Sequence, residues 1–267
     1  MPRACVLVNP RMSHQGSWAE AFAEGLKRHG WEAQISTDCL KADLVAMWST
    51  RRQDVIKQVR AECREIVIAE RGYMGDRKRY CSVSFGGELN GRAEFRGPFG
   101  DASRFERLFA DLIKDWNPTP NGYALIMGQV DGDMSTKGVD LVRWYRHASK
   151  VMEAQGWRVK MRLHPLAGGS GYAAYRESQM ASTDDLAADL AGAGVVVTYN
   201  SNSGVDAALA GRPVIAMDRG SMAWDVAGHA FDEIVMPDRS AWAPRLAWCQ
   251  WSKDEMRSGE CMEAIGL

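Results

Sequence analysis

The strongest constraint on this chain is a rhythm that occurs twice. Short apolar runs alternate with amphipathic segments from residue 4 to residue 116 and again from residue 124 to residue 217, and Asn117-Pro118-Thr119-Pro120-Asn121-Gly122 separates the two series. In the first, Ala4–Asn9, Trp31–Ile35, Leu44–Trp48 and Glu65–Ala69 read as strands, with helical spacing from Ser17 to Gly30, over Asp54–Arg64 and over Ala102–Trp116. In the second, strands over Ala124–Met127, Trp157–Leu163, Val195–Tyr199 and Pro213–Met217 alternate with helices over Gly138–Gln155, Leu186–Ala191 and Val205–Ala210. Runs without polar alternation suit strands covered on both faces, so each series implies a mainly parallel, doubly wound sheet. The expected fold class is α/β, with two Rossmann-like lobes, residues 1–116 and residues 117–267, joined at the Pro-rich hexapeptide. A Trp-rich tail from Ser240 to Ile265 reads as helical and can return to the first lobe. Ligands of such sheets sit at the carboxyl ends of the strands, and a cleft between the lobes would collect both sets.

With 267 residues, 46% of them hydrophobic, the chain has enough apolar surface for substantial cores. No apolar run approaches the ~20 residues of a bilayer-spanning helix, and the start lacks the basic-then-apolar pattern of a secretory signal. The expectation is a cytoplasmic protein without a membrane partner. Six cysteines (Cys5, Cys39, Cys63, Cys81, Cys249, Cys261) are scattered without a Cys-x-x-Cys pair, which suggests neither a zinc site nor a disulfide framework. Residues 1–116 carry 19 Lys/Arg against 16 Asp/Glu, and the remainder 14 against 18. The first half is therefore the better surface for a polyanion, although solvated surface charge scatters by as much.

The motif richest in chemistry runs from Val195 to Ile215, where an apolar strand passes into Asn200-Ser201-Asn202-Ser203-Gly204 before a helix. Hydroxyls, backbone N–H groups and a helix start together make an anion site, most naturally for a diphosphate. Asp206, one turn on, can reach a ribose hydroxyl. One serine capping the helix would account for part of the run. A second motif, Lys160-Met161-Arg162-Leu163-His164-Pro165, ends a strand in Arg, His and Pro, so that His164 can donate to a phosphate oxygen; a structural histidine is the alternative. A third, Met127-Gly128-Gln129-Val130-Asp131-Gly132-Asp133, sets Gln129 beside the same strand ends, or else is a turn that needs its glycines for their backbone angles. No phosphate-binding loop ending in Gly-Lys-Ser/Thr occurs, and Asp131-Gly132-Asp133 is not obviously placed for a metal.

The Arg-x-His-Pro element and the Asn/Ser turn before Ala208-Leu209-Ala210-Gly211-Arg212-Pro213-Val214 resemble the C-terminal lobe of GT-B-fold glycosyltransferases, particularly the capsule and Kdo-transferase-like group, over about residues 122–220. The resemblance implies a GT-B-like arrangement in which Gln129, Arg162, His164, Ser201, Asn202, Ser203 and Asp206 hold a nucleotide-sugar donor such as a UDP-sugar, with no cofactor and no metal. That family usually has Glu where this chain has Asp206. The chain as a whole is similar to small bacteriophage glycosyltransferases, on the Glu70-Arg71-Gly72-Tyr73-Met74-Gly75-Asp76-Arg77 and Asn90-Gly91 segments. Such enzymes are associated with sugar transfer to hydroxymethylated pyrimidines in DNA, which implies double-stranded DNA as a partner and the host cytoplasm as location. Arg71, Tyr73, Arg77, Asn90 and Arg92 would then bind the acceptor, and Lys78, Arg79 and Arg96 beside Tyr80 and Phe95 suit phosphates and an exposed base. Inverting transfer needs a base near the acceptor hydroxyl: Asp76 is the first choice, with Glu70 and His14 as competitors. A glycan acceptor and a sugar-nucleotide 2-epimerase are the other readings.

Overall fold

The computed structural model describes residues 1–38, 41–167, 172, 175 and 180–267; Cys39 and residues 168–171 of the loop expected after His164 lie outside them. Two α/β units form, one from Met1–Phe109 with Ala243–Leu267, the other from Ala110–Trp242.

In the first unit β1 (Arg3–Leu7), β2 (Glu32–Ser36), β3 (Leu44–Trp48) and β4 (Glu65–Arg71) are parallel in the order β4-β3-β1-β2. β5 (Tyr80–Phe85) adds antiparallel to β4, and the strand Gln250–Ser252 adds antiparallel to β5. Helix α1 (Ser13–Arg28) buries Trp18, Ala19, Phe22, Ala23 and Leu26 on one stripe, and Lys27 and Arg28 face its negative end. Gly25 interrupts that helix for a reason: a Cβ there would collide with the carbonyl of Met256, so the glycine lets the helix Lys253–Ser258 lie against α1.

The tail, Ala243–Leu267, therefore lies in the first unit, and it contains a strand where only helix was expected. Three residues are too few for a period to show. Arg104 holds this tail from within: fully buried over the ring of Trp251, it bonds the carbonyls of Ala247 and Gln250 and both oxygens of Glu255. Burial raises the Glu255 pKa, but the bonds from Arg104 and Ser252 outweigh it and hold the carboxyl below its ordinary value.

In the second unit β6 (Tyr123–Met127), β7 (Val159–Arg162), β8 (Ala193–Thr198) and β9 (Val214–Ala216) form an all-parallel sheet in the order β7-β6-β8-β9. Helix α2 (Leu141–Ala154), capped by Asp140, packs Leu141, Tyr145, Ala148 and Met152 onto it. The Pro-rich hexapeptide is not a free linker. Asn117 N–H bonds Gly211 O, Thr119 bonds the carbonyls of Ala191 and Ala193, and the boundary falls earlier, after Phe109. The helix expected over 102–116 is short, Ser103–Leu108, because the chain beyond it pairs its backbone with the second unit, Lys114 N–H to Leu209 O.

Among the described residues no helix is long and apolar enough to cross a membrane. Cys5, Cys81, Cys249 and Cys261 are buried and Cys63 is exposed.

Candidate functional site

Because all four strands of the second unit are parallel, their carboxyl ends bring Gly128-Gln129, His164, Asn200-Ser201 and Asp218 to one edge of the sheet. Gly128 makes this possible by its bareness. A Cβ there would lie 2.9 Å from Arg162 O and 3.0 Å from His164 N, so only glycine lets the end of β6 run this close to the chain that carries His164. Gly132, with φ +71, is the one that meets the expected demand of backbone angle.

Side-chain amides tie this edge together. Gln129 Nε2 donates to Asn200 Oδ1 at 2.7 Å, and Asn200 N–H donates to Gln129 Oε1 at 3.0 Å. Asn200 Nδ2 donates to Ser135 O and to Asp218 Oδ1, both at 2.8 Å, while Gln129 N–H donates to the hydroxyl of buried Tyr145. Gln129 is 6% exposed and its amide is committed at both ends, so it braces β6 against β8 rather than presenting a group outward.

Ser201 N–H bonds Thr198 Oγ1, and Ser201 Oγ accepts from Ser203 N–H at 3.2 Å. Ser201 is thus the cap of the seven-residue helix Ser203–Leu209, and Asn202 makes no side-chain cap. Ser201, Asn202, Ser203 and Asp206 are all half-buried. A Cβ on Gly204 would lie 3.3–3.6 Å from side-chain carbons of Thr198, Ala223 and Val214, so the bare glycine lets the helix sit close on the sheet.

Arg162 and His164 part company. Arg162 Nη1 donates to Asp189 Oδ2 at 2.8 Å and to Asp184 O, and Lys160 Nζ lies 2.9 Å from Asp189 Oδ1. Asp189, 0% exposed, also accepts from Ser182 Oγ. Burial raises its pKa, but the bonds from Lys160, Ser182 and Arg162 prevail and hold it below the ordinary carboxylate value. Half-buried His164 instead accepts the N–H of Leu166 on Nδ1 at 3.1 Å, which places the proton of the neutral ring on Nε2.

At the corresponding strand ends of the first unit, a cavity of about 340 Å³ is lined by Asn9, Gln15, Thr37, Trp48, Arg51 and Arg52 over a floor of Leu7 and Met47. His14, in the first turn of α1, packs edge-on to Trp48 at 5.0 Å, and the Arg71 guanidinium lies 5.9 Å from the same ring. Burial, then the positive charge of Arg71, lowers the His14 pKa from its ordinary 6.5. A neutral imidazole therefore stands beside this cavity at neutral pH.

The other residues expected to bind acceptor are arranged differently. Tyr73 is 1% exposed, hydroxyl toward Asn90 Oδ1, ring against Phe95, with its N–H and that of Met74 both held by Gln250 Oε1. It is a core residue and has no face for an extruded base, because the tail supplies the partners that its loop would otherwise find in water. Tyr80 is likewise buried, against Phe109. Arg96 pairs with Glu65 and Glu94 over the ring of Phe85. Arg71 and Arg92 are exposed, Arg77 and Asn90 half-buried, and Asn90 adopts φ +52 in a short 3₁₀ turn.

Asp76 is exposed in the β4–β5 hairpin loop, where Oδ1 accepts the N–H of Lys78, and Gly75 supplies φ +65 rather than close approach. Glu70, half-buried on β4, sits opposite Ser82. Sequence reasoning missed the cavity, Asn200, Asp218, Tyr145 and Asp189. Asn200 lay inside the recognised Ser/Asn run and could have been singled out; the others are polar residues with distant partners and no local signal.

No family model matches the sequence, and no curated protein sequence matches it. Two solved structures are similar over nearly the whole length. A β-Kdo 2,4 transferase of KpsC from Thermosulfurimonas dismutans matches with a TM-score of 0.61 at 13% identity, covering 93% of this chain and 92% of that one. The β-Kdo 2,7 transferase of KpsC from the same organism matches with a TM-score of 0.54 at 10% identity, covering 97% and 98%. Together with the two sheets flanked by helices, this likeness shows that the chain has a glycosyltransferase-like fold of two α/β units.

Proposed function

We propose that the chain transfers a glycosyl residue from a nucleotide diphosphate donor, held at the strand ends of the second unit, to a hydroxyl of a glycan bound by the first. The observation that carries this is the convergence of His164, Ser201, Ser203 and Asp206 at the carboxyl ends of one parallel sheet in a chain with a glycosyltransferase-like fold. His164 and the Ser203 hydroxyl, which itself accepts from Ser201 Oγ at 3.2 Å, donate to the diphosphate, and Asp206 receives the ribose. Arg162 acts through Asp189, fixing the chain that leads to His164.

The arrangement in the first unit supports His14 as base ahead of Asp76 and Glu70. Neutral His14 takes the proton of the acceptor hydroxyl as its oxygen bonds the anomeric carbon, while the bond from that carbon to the diphosphate oxygen breaks. Charge developing on the leaving group is met by His164 and the Ser201–Ser203 turn. Attack from the face opposite the leaving group inverts the anomeric centre. We propose that helix and side-chain donors suffice for this without a metal, so turnover should survive strong chelation.

Thermal-shift titration with nucleoside diphosphates and their sugars tests the donor site, followed by mass spectrometry of glycan acceptors and of duplex DNA containing hydroxymethylated pyrimidines. His164→Ala and Ser203→Ala should each weaken nucleotide binding by roughly 1–3 kcal/mol without unfolding the protein. Unchanged affinity in both would overturn the donor assignment, and transfer to DNA but to no glycan would reverse the acceptor.

A further inference from the structure

The cavity of the first unit is unusual in the sign of what it offers. Its lining contains two arginines and no carboxylate. The side-chain oxygens of Asn9 and Gln15 are already used: Gln15 Oε1 accepts Asn9 N–H at 2.8 Å, and Asn9 Oδ1 accepts Arg11 N–H at 3.1 Å. Their NH₂ groups find no acceptor among the described residues, and neither does Arg51, whereas Arg52 is engaged by both oxygens of Asp54. The amide orientations follow from those bonds, since a backbone N–H can only donate. What remains toward a ligand is mostly donors: two amide NH₂ groups and one guanidinium beside the indole of Trp48, with the hydroxyl of Thr37 able to give or take a bond.

A volume of about 340 Å³ sits at the small end of ligand sites, ~300–1,000 Å³, and suits one sugar ring with a substituent. An aromatic wall packs against the C–H face of such a ring, and an excess of donors, one of them a guanidinium, favours oxygen anions over neutral hydroxyls, which must both give and take hydrogen bonds. We propose that this cavity binds a sugar carrying a negatively charged group, carboxylate or phosphate, with Arg51, Asn9 and Gln15 as the anion's partners. The inference rests on the glycosyltransferase reading in taking that sugar to be the acceptor, and it specifies the acceptor as acidic.

The test is binding of three probes followed by protein NMR: methyl glucuronide, glucose 6-phosphate and neutral methyl glucoside. At least one charged probe should bind about tenfold or more tightly than the neutral one, shifting the Trp48 indole and the Asn9 and Gln15 side-chain amides. The two charged arms separate carboxylate from phosphate. Arg51→Gln should abolish the preference at unchanged melting temperature, Arg51→Lys should keep part of it, and Gln15→Glu should suppress charged-probe binding by placing a like charge in the cavity.

Equal affinity for all three probes overturns the proposal, as does a preference that survives Arg51→Gln. Displacement of the charged probe by hydroxymethylated duplex DNA also overturns it, since the site would then read a nucleic-acid phosphate. Nucleoside diphosphate binding, measured on the same samples, is the independent control. Charged-sugar selectivity without any nucleotide binding would sink the transferase reading while leaving the acid-binding cavity in place.

Discussion

At the strand ends of the second unit, Gln129, Asn200 and Asp218 satisfy one another. At those of the first, Asn9, Gln15 and Arg51 keep donors that no described residue accepts from. The two edges have similar residue types and opposite uses for them. Where amides lock together they fix backbone, and function passes to hydroxyls and a histidine on the turns they brace. Where amides use only their oxygens internally, the leftover N–H groups define a ligand. Residue identity alone does not separate these cases; the partner does.

The sharpest way to break the contrast is at His14. Removal of a general base costs about 10²–10⁴ in rate, so His14→Ala should lower kcat by that much while thermal stability stays close to wild type. The pH profile carries the sign. The neutral ring is the active form, and burial followed by Arg71 lowers its pKa from 6.5, so kcat/KM should hold as pH falls through 6.5 and decline only below it. Arg71→Gln should move that acid limb upward. An acid limb above 6.5, or a wild-type rate in His14→Ala, would exclude His14 as base.

Next in size is Asp189, which tests the braced edge. Asp189→Ala leaves Arg162 without its carboxylate and Lys160 with Asp184 alone, and should destabilise the protein by about 3 kcal/mol in urea unfolding. Its folded-state pKa lies below the unfolded 3.8, so its contribution is fully present above that pH and is lost as pH falls through the folded value. A loss under 1 kcal/mol would mean that the pair is solvated and does not position β7.

Asn200→Ala comes third. It strands the buried Gln129 Nε2, while the backbone N–H of residue 200 still donates to Gln129 Oε1; the loss costs about 1–3 kcal/mol, and it should weaken nucleotide binding by loosening the Ser201 turn. The double variant Asn200→Ala with Gln129→Leu removes the stranded NH₂ but also the acceptor of the residue 200 N–H, so it should recover neither stability nor binding.

These networks explain why the fold was legible in the sequence and the site only partly so. Strand cores such as Val195–Val197 and Leu44–Trp48 are locally written, because burial on both faces leaves no charged or hydroxyl side chain within them. His164 and the Ser201–Ser203 turn were legible for the same reason, as breaks at the ends of apolar runs. Gln129 reads as a ligand contact because its partner Asn200 is 71 residues away, and Tyr73 as an acceptor contact because its partner Gln250 lies 177 residues on. The three-residue strand that carries Gln250 is below the length at which a period exists. Charge was equally non-local: Asp189 reads as an ordinary helix-surface acid until β7 brings Lys160 and Arg162 onto it.

The smallest expected effect is at Asp76, and its smallness is the point. As a sequence position it had every mark of a base: an acid after a glycine, followed by Arg77, Lys78 and Arg79, in an irregular loop. In the folded chain its Oδ1 receives the N–H of Lys78 at 2.8 Å and its carbonyl receives those of Arg79 and Tyr80, so the residue closes a hairpin turn. Asparagine makes the same side-chain bond through its own Oδ1. Asp76→Asn should therefore change stability by no more than about 0.5 kcal/mol, and transfer, measured with the acceptor that wild type accepts, should stay within about twofold. Asp76→Ala, which removes the bond, should loosen the hairpin, lowering the melting temperature slightly more than Asp76→Asn, again with little change in rate. A hundredfold loss in Asp76→Asn at unchanged stability would return the base to the hairpin and leave His14 as a ring that merely packs on Trp48.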